Sequence, residues 1–290
     1  MKQIIIVTGI LIITIISCRP EPLVIDIDPV ESQVVVFSQV IPQLAVTIVL
    51  TNTISALEFS QENGDSLSND ILNQLLEDSA LVRLSYLDQV DTLVESTKGV
   101  YTGIFIPQYE NELYQLDITT SAGKELHAES KMLPLVPFTS ITPIIKRNTK
   151  DTLVKIAYSI EDPIGDNWYM INVYTNNPKD RDTSGINSGS FFGGSGFLVR
   201  TRLIDDHLFD SERFSDTMKV KSLSPTDSIV VSISNINETF YDYIKLRKTS
   251  QNLFTEITKE PINYPSNVEN GLGFFNTHYP DLRYFDLSEF

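Results

Sequence analysis

Short runs of β-branched and aromatic residues recur along most of the chain, and their spacing predicts β-strands. Seven such runs lie before residue 133, separated by polar or glycine-containing turns such as Ser121-Ala122-Gly123. The predicted strands cover residues 34–37, 45–50, 81–87, 92–95, 100–106, 113–119 and 125–132. Short strands at regular intervals are typical of a β-sandwich.

The same pattern continues beyond Pro134 and Pro137, which mark a domain junction. Strands are predicted at residues 141–146, 153–159, 168–174, 197–203 and 228–234, and alternation at Leu282, Tyr284 and Asp286 suits a final strand. We therefore expect a mainly β protein with two β-sandwich-like domains and one or two short helices. The expected domains are an N-terminal β-sandwich over residues 31–136 and a β-rich C-terminal domain over residues 137–290.

Two segments have helical spacing instead. Residues 68–77 place four apolar side chains on one helical face behind a Ser or Asn cap. Asn235-Ile236-Asn237-Glu238 has the spacing of a capping box, and a helix is predicted near residues 236–248. Its apolar stripe packs on a sheet or fills a partner groove, and core packing is the simpler interpretation. The stripe consists of Phe240, Tyr243 and Ile244.

The first 18 residues have the pattern of a bacterial lipoprotein signal. Lys2 precedes an apolar run that is too short for a membrane span, which needs about 20 residues. Ile15-Ile16-Ser17-Cys18 matches a lipobox, and Cys18 is the only cysteine of the chain. We expect a signal peptide over residues 1–17, lipid attachment at Cys18 and a tether over residues 18–30. The alternative is a simple secretion signal with a cysteine placed there by chance.

Charge and cysteine usage narrow the classes of function. Loss of residues 1–17 removes Lys2 and no acidic residue, so the net charge changes from −16 to −17. Such an acidic surface repels phosphate backbones, so no nucleic-acid partner is expected. A single cysteine excludes a disulfide framework and a thiolate metal cluster.

Motifs for catalysis are weak. Gly193-Gly194-Ser195-Gly196-Phe197 fails the last position of a nucleophile elbow, and the glycine-rich stretch lacks the Lys-Ser/Thr of a phosphate loop. Paired carboxylates would need a separation that only three dimensions can set. We therefore expect no catalytic residue, no cofactor and no enzymatic activity.

Motifs for metal binding are weak as well. His127, His207 and His278 lie far apart along the chain and lack metal-ligand spacing. Three aspartates at positions 205, 206 and 210 could contact calcium, but the glycine and glutamate of an EF-hand loop are missing. A solvated turn or a helix cap is the simpler interpretation, and no metal site is expected.

A polar stretch between two predicted strands holds the candidate contact residues. Its last part, residues 185–196, contains five glycines and no charged residue, with Phe191 and Phe192 adjacent in it. Two neighbouring aromatics in a hairpin loop cannot both point inward, and exposed loop aromatics often contact partners. We take Phe191 and Phe192 as possible contacts to a partner or ligand. The alternative is that both fold back onto the sheet.

Several patches together resemble a Bacteroidota lipoprotein family known only as a domain of unknown function. The most specific patch is Ser266-Asn267-Val268-Glu269-Asn270-Gly271-Leu272-Gly273-Phe274-Phe275. The others lie at residues 114–116, 127–134, 167–173, 206–210, 232–246, 252–254 and 260–261. The resemblance covers nearly the whole mature chain. One departure is Ser211, which stands where the family usually has glycine.

The resemblance implies an accessory role in uptake, because family members are often encoded beside TonB-dependent outer-membrane receptors. The first hypothesis is therefore an outer-membrane lipoprotein that serves such a receptor as an accessory or ligand-capture component. The second is a free-standing carbohydrate- or peptide-binding or adhesion lipoprotein, and the third is a carboxylate-dependent hydrolase. The ligand is open between a small molecule, a glycan and a peptide. The expected location is the outer membrane, with the cell surface favoured over the periplasmic face.

Overall fold

The structure, a computed structural model, places β-strands along most of the chain. It describes residues 31–41, 45–53, 75–147, 152–175, 197–207, 209, 212–223, 227–250 and 264–290. Residues Ser32–Phe290 form one compact unit. The expected mainly β fold is confirmed, with several sheets and one α-helix in the described ranges.

Seven strands of the first half surround one core. They are β1 (Val34–Ile41), β2 (Ala45–Asn52), β3 (Leu81–Tyr86), β4 (Gln89–Thr97), β5 (Val100–Ile104), β6 (Leu113–Thr119) and β7 (Glu125–Lys131). Their order is β7-β6-β3-β4-β5-β2-β1, and β4 pairs with β3 through its first half and with β5 through its second. Ile48 of β2 and Leu116 of β6 are buried in the same cluster, so the two halves of the sheet face each other.

The second half adds seven longer strands, two short strands and the helix. They are β8 (Phe138–Arg147), β9 (Thr152–Glu161), β10 (Trp168–Thr175), β11 (Phe197–Asp205), β12 (Arg213–Leu223), β13 (Ser228–Ile236), α1 (Glu238–Ser250), β14 (Val268–Glu269), β15 (Leu272–Phe274) and β16 (Pro280–Asp286). Two sheets, β12-β9-β8 and β11-β10-β13-β16, enclose a second core. Ile156, Ile171 and Ile233 lie fully buried within it.

The order of strands is the same in both halves. In each half the first, second and fifth strands lie side by side, and so do the fourth, third, sixth and seventh strands. In the first half the pairing of β4 with β5 joins these two groups into one sheet, whereas in the second half they are separate sheets. In the second half β8 takes the first place and β16 the seventh. The structure therefore contains two sandwiches of one topology. The extents of the two domains stay a prediction.

The C-terminal segment returns to the first sandwich. β14 pairs antiparallel with β7, and β15 pairs parallel with β1, so the segment adds a strand at each edge of the first sheet. These strands lie within the range predicted for the second domain, residues 137–290. Their pairing covers two strand edges whose backbone groups would otherwise be open to other chains.

The motif that carries the family resemblance makes this return possible. Gly273 has a φ of +99°, and a Cβ there would overlap the carbonyl oxygen of Val36, while a Cβ at Gly271 would overlap the side chain of Leu126. Asn267 accepts the Phe275 N–H at 2.8 Å and donates to the Phe275 carbonyl at 2.7 Å. The most specific patch of the sequence therefore has a structural role.

Helix α1 starts two residues later than the capping box predicts. Asn237 is the cap, since its side-chain oxygen accepts the Phe240 N–H at 2.9 Å. Asn235 belongs to β13, where its side chain donates to Asn167 at 3.3 Å. The predicted stripe is buried, and it packs with Met170, Ile236 and Phe274 in a third cluster.

One long strand was not predicted. In β12 the buried residues Met218 and Val220 alternate with polar ones. The next residue on the same inward face is Asp216, whose charge interrupts the apolar alternation. That carboxylate forms an ion pair with Arg202, which the local pattern does not reveal.

The predicted helix over residues 68–77 lies largely outside the described residues. Near its C-terminal end, Leu76 pairs with Thr51 as an isolated bridge.

Candidate functional site

A cationic groove lies between strand β11 and helix α1. Its cavity volume is about 360 Å³, which falls within the size range of small-molecule sites. The residues that line it are Arg200, Thr201, Arg202, Leu203, Tyr241, Lys245, Lys248 and Thr249. We refer to this surface as the basic groove.

Strand β11 directs its cations and its other groove residues to opposite faces. Arg200 and Arg202 lie opposite Val173 and Ile171 of the second core, so their side chains leave the face of β11 that is turned to the other sheet. Thr201 and Leu203 leave the face that α1 covers. β11 is the edge strand of its sheet, and its pairing with β10 shifts register between Val173 and Tyr174. Such an irregularity in an edge strand redirects neighbouring side chains.

The helix cations reach the groove because α1 is held on the sheet by its apolar residues. Lys245 and Lys248 are three residues apart and therefore share one helical face. Phe240 and Ile244 are 6% and 5% exposed, which fixes the helix against β10 and leaves the lysine side outward. The Lys248 ammonium donates to the Thr201 carbonyl at 2.6 Å and joins the helix to the strand.

The groove is basic in an acidic protein. Four of the 22 Lys and Arg residues line it and no carboxylate does, although the chain carries a net charge of −16. Arg202 is paired with Asp216, which balances one of the four charges. Among the described residues, no carboxylate lies within 4.0 Å of the Arg200 guanidinium or the Lys245 ammonium. A positive potential in a cleft attracts anions.

Tyr241 supplies an aromatic wall to the groove. Its hydroxyl donates to Asp205 at 3.0 Å, and the Lys245 ammonium lies 5.2 Å from its ring centroid. Burial, together with the Asp205 carboxylate, raises the pKa of Tyr241 to about 12, so the hydroxyl stays protonated.

The predicted contact residues Phe191 and Phe192, and the predicted lipidation site Cys18, lie outside the described residues. Of the three aspartates that were weighed as calcium contacts and interpreted instead as a solvated turn or helix cap, Asp210 also lies outside them. Asp206 is buried and accepts the Asn167 N–H at 2.6 Å, and Asp205 accepts from Tyr241. Both aspartates thus serve the packing of loops and helix. Within the described ranges, no group of three or more His, Cys, Asp and Glu side chains is placed to hold a metal ion.

The three histidines occupy separate environments. His127 contacts Asp117 at 2.8 Å on neighbouring strands, and this contact raises the pKa of the imidazole. His278 is partly buried, and burial lowers its pKa to about 4. His207 is exposed and lies 3.3 Å from Asp205.

None of the described helices has the length and apolar character needed to cross a membrane.

Sequence reasoning did not find the basic groove. A signal was present, because Arg200 and Arg202 alternate on a predicted strand and Lys245 and Lys248 share a predicted helical face. What the sequence did not reveal was that these two elements are neighbours. Contact between them depends on the packing of α1 against the sheet of β10 and β11.

Comparison with known proteins yields one family and distant structural similarities. A family model described as Domain of unknown function (DUF4249) matches residues 20–279. No curated protein matches the chain. A two-domain fibronectin type III segment from chicken tenascin is 9% identical, with a TM-score of 0.20, and the match covers 71% of this chain and 91% of that one. The chicken interferon gamma receptor alpha chain is 7% identical, with a TM-score of 0.17, and the match covers 71% and 90% of the two chains.

Proposed function

The chain belongs to the family described as Domain of unknown function (DUF4249), and we propose that it is a lipid-anchored ligand-capture protein of the outer membrane. In this proposal the acyl chains on Cys18 hold it to the membrane, and it works as an accessory of a TonB-dependent receptor. The protein holds a nutrient near the receptor and performs no chemistry of its own.

The basic groove is the observation that carries the capture role. It is a concave site of small-molecule size, with an aromatic wall at Tyr241 and with Lys245 and Lys248 on its helix side. Its walls come from two elements that packing holds in place, so the site exists before a ligand arrives. A preformed site binds with a smaller entropic cost.

Two features of the sequence support the anchor and the partner. The lipobox cysteine lies two residues before the region matched by the family, and residues 1–17 have the pattern of a signal peptide. The resemblance to lipoproteins encoded beside TonB-dependent receptors suggests the partner.

Crosslinking and affinity recovery of the tagged, full-length protein from native outer membranes test the proposal. We expect a TonB-dependent receptor to be recovered with the wild-type protein. The Cys18→Ala variant should leave the membrane fraction or stall in processing, and it should recover less receptor. A mature-sized Cys18→Ala protein that still sediments with membranes would contradict the lipid anchor.

The same assay examines the aromatic pair at residues 191 and 192. Replacing Phe191 and Phe192 with serine should reduce receptor recovery, because aromatic side chains in loops supply large contact area at binding hot spots. Unchanged recovery would remove this pair from the contact. If the wild-type protein recovers no receptor at all, the partnership is wrong and the free-standing binding or adhesion protein becomes the better hypothesis.

A further inference from the structure

We infer that the outer edge of strand β16 binds the same strand of a second copy of this chain, so that two copies form a symmetric dimer by strand addition. The inference goes beyond the proposed function and does not depend on it. It rests on the hydrogen-bonding pattern of β16, on its exposed side chains and on the positions of its charges.

Strand β16 is an edge strand whose outer side pairs with none of the described strands. It ends the sheet order β11-β10-β13-β16, with β13 as its neighbour. The equivalent strand of the first sandwich is β7, the seventh strand of its half, and the outer edge of β7 pairs antiparallel with β14. One sandwich therefore already accepts an antiparallel strand at this edge, whereas the described part of the other sandwich leaves the same edge open.

The other edge strands of the second sandwich carry features that discourage strand addition. β8 contains Pro143, which has no N–H to donate, and its pairing with β9 shifts register. β12 carries Lys219, and its pairing with β9 also shifts register. On β11 the Thr201 carbonyl accepts the Lys248 ammonium of α1. By contrast, β16 pairs with β13 over seven residues without a shift, and it contains no lysine.

The backbone hydrogen bonds of β16 show which of its groups face the open edge. The Leu287 N–H donates to the Asp227 carbonyl at 3.0 Å, one position beyond the last residue pair of β16 and β13. In an antiparallel ladder, hydrogen-bonded pairs alternate with pairs whose N–H and C=O groups point away from each other. Residues 281, 283 and 285 therefore bond to β13, whereas the N–H and C=O groups of Leu282 and Tyr284 point outward.

The side chains of the same two residues are large, apolar and exposed. Leu282 is 43% exposed and Tyr284 is 66% exposed, and both leave the same face of β16. A regular edge strand with free backbone groups is a template for another strand. A strand added here satisfies the outward N–H and C=O groups and covers apolar surface at the same time.

The charges of β16 identify a second copy of the chain as the partner. When a twofold axis passes through Leu282, Asp281 of each copy lies opposite Arg283 of the other copy. An axis through Asp281 or through Arg283 places like charges opposite each other, which is unfavourable. An axis through Tyr284 places no opposite charges together. Only the register centred on Leu282 is therefore complementary in charge.

The same register satisfies the outward donors of both strands. The Leu282 N–H of each copy donates to the Leu282 carbonyl of the other copy, and the Tyr284 N–H of each copy donates to the Pro280 carbonyl of the other. Pro280 has no N–H, so the position opposite Tyr284 leaves no donor without a partner. The paired segment is short, so we expect a weak dimer whose population depends on the protein concentration.

Sedimentation equilibrium of the unlipidated mature chain tests the inference, with Cys18→Ser to prevent a disulfide. We expect the average mass to rise toward that of two chains as the concentration approaches about 100 µM. Leu282→Lys/Tyr284→Lys should stay monomeric, because lysines on an edge strand oppose pairing. The matched control, Val94→Lys/Ile164→Lys, adds the same charge at exposed apolar positions outside β16 and should change the dissociation constant less than about twofold.

A charge variant tests the register. Arg283→Glu places a carboxylate opposite Asp281 in both halves of the dimer, so it should raise the dissociation constant about tenfold. With the axis at position 283 instead, like charges would face each other before and after the substitution, and the constant would change little. Thermal unfolding of every variant shows whether the fold is intact.

A wild-type protein with the mass of one chain at about 100 µM would overturn the inference. A dimer that withstands Leu282→Lys/Tyr284→Lys would overturn it as well, and so would an equal loss of the dimer in the control pair. An unchanged constant for Arg283→Glu would overturn the register centred on Leu282. These measurements involve neither the lipid anchor nor the receptor, so their outcome is independent of the proposed function.

Discussion

At the scale of single residues, the closure of the first sandwich depends on a few small and polar side chains. Asn267 makes hydrogen bonds that a strand neighbour would otherwise make, with Phe275 on one side and the Glu129 carbonyl on the other. Ser38 and Ser130 accept the backbone N–H groups of Asn276 and Thr277 inside the protein, at 2.7 and 2.8 Å. Because buried backbone groups need partners, these side chains stabilise the crossing segment.

Gly273 is the residue at which this arrangement is most easily tested. Gly273→Ala should lower the free energy of unfolding by about 3 kcal/mol or more, because its φ is left-handed and the new Cβ meets Val36. Gly123→Ala is the matched control, since its φ is +81° but nothing lies within 4 Å of the new Cβ. It should lose only about 1 kcal/mol. Equal losses in chemical denaturation would show that the contact with β1 does not matter.

At the scale of elements, helix α1 packs into the core with one face and lines the basic groove with the other. One face buries Phe240, Tyr243 and Ile244 beneath the helix, where they contact strand residues of both sandwiches. The other face carries Lys245 and Lys248 to the basic groove. The apolar face therefore sets the position of the groove, and the cap at Asn237 sets where the helix begins.

The apolar face gives a prediction for this element. Phe240→Ala should destabilise the fold by about 3–5 kcal/mol, because it leaves a cavity between α1, Tyr243 and Phe274. Asp242→Ala changes an exposed position of the same helix and should stay within about 0.5 kcal/mol of the wild type. An unchanged melting temperature for Phe240→Ala would mean that this side chain contributes little to the core.

At the scale of the whole molecule, the C-terminal segment links the two sandwiches. It pairs with the edges of the first sheet through β14 and β15, and it then enters the second sandwich as β16. Phe274 of β15 also packs against α1, and the Arg247 guanidinium lies 5.4 Å from the ring of Phe37 on β1. The C-terminal segment and α1 therefore make packing contacts in both sandwiches.

This linkage predicts that the mature chain unfolds in one cooperative transition. Trp168, the only tryptophan of the chain, lies on β10 and reports on the second sandwich by fluorescence, whereas far-ultraviolet circular dichroism reports on all strands. We expect the two denaturation curves to coincide. A fluorescence transition clearly separated from the circular dichroism transition would show that the sandwiches unfold independently.

The sequence by itself determined the local elements and the class of the fold. Alternation of apolar and polar residues located most strands, with residues 113–119 predicted at the observed bounds of β6, because alternation follows directly from the geometry of a strand. The helical stripe was identified for the same reason, since its spacing follows from 3.6 residues per turn. The match of residues 15–18 to a lipobox and the acidic composition are also read from the sequence alone, and lipid attachment at Cys18 stays a prediction.

Only the tertiary structure decided which elements meet. The inward carboxylate of Asp216 in β12 is neutralised by Arg202 on β11. The glycines of the C-terminal motif are required because β1 and β7 pack too closely to leave room for a Cβ. The basic groove likewise exists because α1 packs next to β11, far away in the sequence. Periodicity records the environment of a side chain within its own element, whereas partners from distant elements are chosen by packing and hydrogen bonding of the whole fold.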